Sequence, residues 1–448
     1  LDFFGGILER HPCFVDALRA HANNLTLKGR YAEGLQYDKR LVQMRPTDPL
    51  AALPGSAKQI DATYSLPYLA HAYMEVLNCT VSITAAGCEV WAPTQAPGWV
   101  AQTAASVSGL DISKVTVHQT LLGGGLGRKI EQDYIAQAVG VAKVVKKPVK
   151  VMWSREQDMT HDKYRPMAVA RVRAGIDATG TIKGWWNRLV TPSILGQRGW
   201  IGPGQVDGQA VDGAIELPYA MAARKVEWVP QPTSLPLGFW RSVGHSLNCF
   251  VVESAIDELA LAAGLDPLAY RRKLLAGNTR ALKVLNTAAT LGGWGTALPA
   301  GHARGIAFSQ SFGSLTAEVV EVSAATATSL RVHQVAVAID CGTAVNPGQV
   351  VAQMEGGVIH ALNAALWGRI TFTNGKVNET NFNKYKMMRL RESPTIKVSV
   401  IQSGQPIGGV GEPGVPPLAA ALANAHAALT KTRIRTLPFF PGATMGDI

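Results

Sequence analysis

From about residue 51 to the C-terminus, strand and helix signals alternate irregularly, with hairpins set between the helices, and this mixture is what most constrains the fold. Met167 to Gly175 alternates apolar and polar side chains, Asp177-Ala178-Thr179-Gly180 turns, and Ile182 to Val190 continues, which predicts an antiparallel hairpin. A second hairpin is expected to turn at Asn374-Gly375. Thr116 to Thr120 reads as a strand, Gly123 to Gly127 as a tight loop and Ile130 to Val145 as a helix. Asn248 to Ala263 predicts an amphipathic helix stopped at Gly264, and Asp266-Pro267 caps the next one with proline in its first position. Val332 to Ile339 and Thr395 to Ile401 are further strands. Hairpins mixed with helices, rather than a strict βαβ alternation, define an α+β fold with mixed sheets. The 448 residues exceed what one core holds, so residues 51–448 are expected to form two subdomains.

The formal charge of +11 is spread along the chain, its densest runs being Arg271-Arg272-Lys273 and Lys146-Lys147. No basic stripe interleaved with aromatics is present, which argues against a nucleic-acid partner. Cys13, Cys79, Cys88, Cys249 and Cys341 share no CxxC or other metal-binding spacing, so no iron–sulfur or zinc site is encoded. No run of 18 apolar residues and no signal segment occur, so a membrane span is not expected and either a cytoplasmic or a periplasmic location is open.

The chemistry-bearing candidates sit in loops at element ends. Gly408-Gly409-Val410-Gly411-Glu412-Pro413-Gly414-Val415-Pro416-Pro417 holds a single carboxylate among four glycines and three prolines. The glycines permit close backbone approach, and the prolines stiffen the chain beyond the acid. Gly123-Gly124-Gly125-Leu126-Gly127-Arg128-Lys129 lies where a strand feeds a helix, so its N–H groups and the helix dipole favour an anion. It fails the dinucleotide fingerprint because Arg128 stands where the last glycine is required, and no P-loop Lys-Ser/Thr comes after it. Trp91 to Gln95 places Gln95 after a proline-stiffened bend, and Phe239 to His245 places Arg241 just before a helix, where it can orient an anionic or carbonyl oxygen. Asp340-Cys341-Gly342 with Asn346-Pro347, and then Gln353 to Gly357, gives another loop before a helix.

These stretches carry two resemblances. Pro12 and Pro46 stand 34 residues apart, with Leu18, Ala22, Leu25, Gly29, Tyr31, Gly34 and Leu41 between them, and residues 1–50 resemble a tetratricopeptide repeat, an all-α helical hairpin that implies a protein partner. From about Tyr64 to Pro438 the chain resembles the molybdenum cofactor-binding subunit of the xanthine oxidase and aldehyde oxidase family, isoquinoline 1-oxidoreductase beta-subunit type. Leu66 to Glu75, Trp91 to Gln95, the Gly123 loop, Phe239 to His245, Asp340 to Pro347 with Gln353 to Gly357, and Gly408 to Pro417 carry that likeness in order.

The resemblance implies an oxidoreductase that hydroxylates an aldehyde or N-heteroaromatic small molecule with oxygen from water. Its cofactor would be molybdenum–molybdopterin cytosine dinucleotide, with the metal held by the pterin dithiolene and by no protein side chain. Electrons would leave to a small 2Fe-2S subunit. In that scheme Glu412 is the general base and Arg241 orients substrate. Gln95, Gly124, Gly125, Leu126, Gln353 and Gly411 line the cofactor. Three departures stand out: no Gly-Gln-Gly, the family's upstream cofactor grip, occurs; Leu126 replaces a commoner Phe; and the residues after Arg241 are not the usual glycine. The missing grip supports a second reading, an inactive relative or a scaffold acting through the repeat-like segment.

Overall fold

The computed structural model describes residues 48–443, apart from 203, 327 and 328. The repeat-like segment lies almost wholly outside the described residues.

Fourteen strands are described: β1 (Lys58–Leu66), β2 (Asn78–Ile83), β3 (Cys88–Ala92), β4 (Val115–Gln119), β5 (Val149–Met152), β6 (Ala168–Ile176), β7 (Ile182–Thr191), β8 (Arg224–Pro230), β9 (His302–Ser311), β10 (Ser314–Thr326), β11 (Ser329–Asp340), β12 (Phe372–Thr373), β13 (Lys376–Val377) and β14 (Thr395–Ile401). They form three four-stranded sheets in the orders β1-β6-β7-β8, β14-β11-β10-β9 and β4-β3-β2-β5, and β12 with β13 makes a small hairpin. Each large sheet is antiparallel except for one parallel edge pair, β7 with β8, β11 with β14 and β3 with β4. A parallel pair needs a crossover, and helices supply two of them, Pro97–Ser108 between β3 and β4 and Pro347–Leu366 between β11 and β14. The mixed sheets match the α+β expectation, and both predicted hairpins, β6–β7 and β12–β13, are present.

Valine and alanine dominate β10 and β11 because both faces of that sheet are covered. Leu315, Ala317 and Val319 join a core shared with β1, β6, β7 and the helices His245–Ala262 and Thr279–Leu291. Val320, Val322, Val335 and Val337 face a second core under Pro347–Leu366 and Pro416–Thr430. The β4-β3-β2-β5 sheet packs Cys79, Val81 and Val90 against Val100, Tyr134 and Ala138 in a core of its own.

One local expectation is corrected. The helix read as amphipathic spans His245–Ala262, and every residue from His245 to Asp257 is buried. Its charges looked like a solvent face, yet they end in ion pairs: Arg271 meets Glu253 at 2.9 Å and Arg433 meets Asp257 at 2.6 Å. Paired in this way, acids that are otherwise almost always exposed stay inside. The Asp266 cap behaves as read, accepting from the Ala269 N–H, and Asn346 also caps its helix by accepting from the Gln349 N–H.

Candidate active site

Five of the motif-bearing loops lie beyond the carboxyl ends of strands in the parallel edge pairs. Gln95 comes after β3, the glycine loop after β4, Arg241 after β8, Gln353 after β11 and Glu412 after β14. Strands running side by side in one direction release their loops at one edge, which is where open sheets gather ligand-binding residues.

The two flanks of the site are built differently. On the first, Gln95 Oε1 accepts from the Gly127 N–H at 3.0 Å, and Glu75 Oε2 accepts from the Gly123 N–H at 2.8 Å and from Lys129 Nζ at 2.6 Å. Burial would raise the Glu75 carboxyl, but the Lys129 ammonium and the Gly123 N–H outweigh it and hold it below the usual value. The Gly123 N–H of the glycine loop is therefore taken by the chain's own Glu75. The expected strand–loop–helix order is also interrupted, because a 3-10 turn over Arg128–Ile130 intervenes and the helix begins only at Asp133. Gly127 has φ +109°, and a Cβ there would overlap the carbonyl oxygen of Phe239, so only glycine lets the loop press against the Arg241 segment.

On the second flank, Arg241 is buried and its Nε donates to the Gly411 carbonyl at 2.7 Å. Its Nη2 donates to the Gln353 carbonyl at 3.1 Å and to Gln353 Oε1 at 2.9 Å. Gln353 sits on the helix Pro347–Leu366 rather than in a loop before it. The Ser242 N–H donates to Glu412 Oε1 at 2.9 Å, and the Ser242 hydroxyl donates to the Glu412 carbonyl at 2.8 Å. Burial pushes the Glu412 carboxyl up, and the Ser242 N–H and the Arg241 guanidinium only partly offset it.

Backbone strain is concentrated here. Among the described residues, eight non-glycine residues have positive φ, and three of them, Lys146, Lys431 and Asn374, are helix caps or a hairpin turn. The other five, Ala72, Leu126, Ser242, Val243 and Phe312, lie in or against the site segments. Val243, β-branched at φ 42°, is a position glycine would take without strain, and such outliers cost on the order of 1–3 kcal/mol each. The glycine missing after Arg241 in the sequence is thus absent where the backbone would use one, and the strained turn aims the Ser242 N–H at Glu412.

Sequence reasoning missed the supports. The Phe312 carbonyl accepts the Gly409 N–H at 2.7 Å, and the Ser314 hydroxyl donates to the Gly409 carbonyl at 2.6 Å, so the β9–β10 turn clamps the glutamate loop. Its signal was the Phe312-Gly313 pair between two strand-like runs. Trp240 stacks on His360 at 4.3 Å, lies under Arg165 and donates its indole N–H to the Ala70 carbonyl, pinning the residue before Arg241. His71, quoted only as part of a motif, is bonded twice to the buried Asp162. No spacing rule links residues so far apart.

This chain matches a molybdopterin cofactor-binding domain over residues 36–275 and a second molybdopterin cofactor-binding domain over 285–394. The chain belongs to the molybdopterin cofactor-binding family. It is 29% identical over 398 residues to the isoquinoline 1-oxidoreductase beta subunit of Brevundimonas diminuta, covering 86% of this chain and 49% of that one. It is 28% identical over 421 residues to the membrane-bound pyrroloquinoline-quinone aldehyde dehydrogenase of Gluconacetobacter polyoxogenes, covering 86% and 54%. The chain spans about half the length of these curated relatives. Its fold is that of quinoline 2-oxidoreductase from Pseudomonas putida 86, with a TM-score of 0.77 at 14% identity over 88% of this chain and 77% of that one.

The residues present fit such a cofactor. A Cβ added at Gly411 would meet nothing within 4 Å, and one at Gly356 would meet only Arg241 Nη1 at 3.8 Å. Both glycines are exposed beside Arg241 and Glu412, leaving room against the backbone for a flat ligand. No helix among the described residues is long and apolar enough to cross a membrane.

Proposed function

We propose that this chain carries the cofactor-binding catalytic region of a molybdenum hydroxylase that oxidises an aldehyde or an N-heteroaromatic ring. When bound, the cofactor supplies a two-electron acceptor and activates oxygen derived from water. The observation that supports this reading most directly is Glu412, a carboxylate raised by burial and fixed through Oε1 alone by the Ser242 N–H. Its Oε2 accepts no hydrogen bond from another described residue and is the atom that takes a proton from the oxygen nucleophile. A carboxylate with an elevated pKa is a stronger base than an ordinary glutamate, which suits proton removal near neutral pH.

Arg241 plays two parts. By binding the Gly411 carbonyl and Gln353 it fixes the glutamate loop against the helix that carries Gln353, and its positive charge offsets part of the rise that burial imposes on the Glu412 carboxyl. Gln95 has its carbonyl engaged by the Gly127 N–H, and its amide NH₂ is the group that would donate to the cofactor. Gly124, Gly125, Leu126, Gln353 and Gly411 line the cofactor, its form is the cytosine dinucleotide, and electrons pass to a small 2Fe-2S subunit. Overall a substrate C–H bond and one water give a C–O bond, two protons and two electrons.

The test is turnover of isoquinoline or benzaldehyde in isotopically labelled water with an artificial electron acceptor, in wild type and Glu412→Gln. Label is expected in the wild-type product and no turnover in the variant. Unlabelled product, or full activity of the variant, would overturn the reading.

A further inference from the structure

Three aromatic rings form a ladder that joins the two flanks of the site. Phe239 lies two residues before Arg241, and its carbonyl abuts Gly127. Trp200 stacks on Phe239 with centroids 6.2 Å apart at 27°, and Trp99 meets Trp200 edge-on at 5.9 Å and 72°. Trp99 belongs to the helix that starts just after Gln95, so the ladder runs from the segment that carries Gln95 to the segment that carries Arg241.

The ladder is held as a rigid element. Gln197 Nε2 donates to the Thr233 and Leu235 carbonyls at 3.2 and 2.8 Å, tying the Trp200 segment to the chain that leads into Arg241. The Arg198 guanidinium lies 4.6 Å from the Phe239 ring centroid and 5.8 Å from that of Trp200, and it is ion-paired with Glu131 beyond the glycine loop. Despite this support Trp200 is 55% exposed and Trp99 41% exposed. Fixed, exposed indole faces next to a candidate site offer large contact area at little cost in side-chain entropy.

We propose that Trp200, backed by Phe239 and edged by Trp99, is a stacking subsite for a planar nitrogen heterocycle. This inference rests on the hydroxylase reading of the adjoining loops. Ring nitrogen withdraws electrons from the neighbouring carbons, so such a ring complements the electron-rich indole face. The same electron deficiency makes a ring carbon open to attack by an oxygen nucleophile, so one property serves both recognition and reaction. Two ligands carry this chemistry, a heteroaromatic substrate and the nucleobase of a dinucleotide cofactor.

The purified chain is titrated calorimetrically with isoquinoline, with cytidine monophosphate and with butanal, in wild type, Trp200→Leu and Trp200→Phe. Saturable binding of isoquinoline assigns the subsite to substrate, and binding of cytidine monophosphate assigns it to the cofactor base. Either should weaken roughly three- to ten-fold in Trp200→Leu and recover in Trp200→Phe. Binding unchanged in Trp200→Leu, no ring binding at all, or butanal bound as well as the rings would overturn the proposal. Glu412→Gln separates the two readings: it should bind the rings like wild type while lacking turnover, so a fault in the assigned chemistry leaves this titration intact.

Discussion

Two glutamates serve the two glycine-rich loops, Glu75 bracing the Gly123 loop from outside it and Glu412 standing within its own, and their surroundings drive them apart. Glu75 is met by Lys129, Gly123 and Asn78, and it titrates below the ordinary value. Glu412 has one N–H and a nearby guanidinium that is itself occupied by Gly411 and Gln353, and it titrates above it. A carboxylate saturated with partners holds a loop in place, whereas one left with a free oxygen and a raised pKa can accept a proton. Abundant glycine marks both loops and does not tell the two roles apart.

The sharpest break of this comparison is to neutralise each acid in turn. Glu412→Gln should abolish turnover while leaving bound cofactor and the unfolding midpoint essentially unchanged. Glu75→Gln should do the reverse, costing about 2 kcal/mol in urea unfolding because it leaves Lys129, whose side chain is fully buried, without its counter-ion. A similar contrast holds for glycines. A Cβ at Gly125 would collide with Gln95 Oε1, so Gly125→Ala should lose about 1–2 kcal/mol, whereas Gly411→Ala faces open space and should stay within about 0.5 kcal/mol while retaining less cofactor.

Smaller effects concern pH. Because the fold raises Glu412, its basic form is reached only above the ordinary glutamate value of about 4.3, and the acidic limb of kcat/KM should lie above that value. Arg241 works against the rise, so Arg241→Gln should move the limb further up in pH; a limb that moves down would contradict the assigned electrostatics. Glu318 gives a pH signal outside the site. It is wholly buried, neither oxygen has a protein partner among the described residues, and burial alone raises it far above normal. Its folded pKa exceeds its unfolded one, so it makes stability fall as pH rises past about 4.3. Thermal melts of Glu318→Gln between pH 5 and 8 should therefore decline less steeply than those of wild type.

The sequence revealed the six motifs because each combines residues with restricted uses, such as glycine beside a lone acid or glutamine after proline. It also revealed the mixed architecture, since strand periodicity and turn residues are local signals. What it hid was pairing across distance. Glu253 and Asp257 read as a solvated face until Arg271 and Arg433 are brought to them. The Ser242 N–H carries no side-chain signature, and its direction depends on two strained φ angles that no residue type at Ser242 or Val243 announces. The clamp of Phe312 on Gly409 joins residues almost a hundred apart through backbone atoms alone.

In the proposed function these loops form one cofactor site in which Glu412 serves chemistry rather than binding. Molybdenum per chain, measured by elemental analysis with nucleotide release after expression alongside the cofactor-making machinery, tests it in wild type and Glu412→Gln together. Near one molybdenum per chain in both, with a cytosine nucleotide released, is the predicted result; metal-free wild type, or metal lost only in the variant, would contradict it.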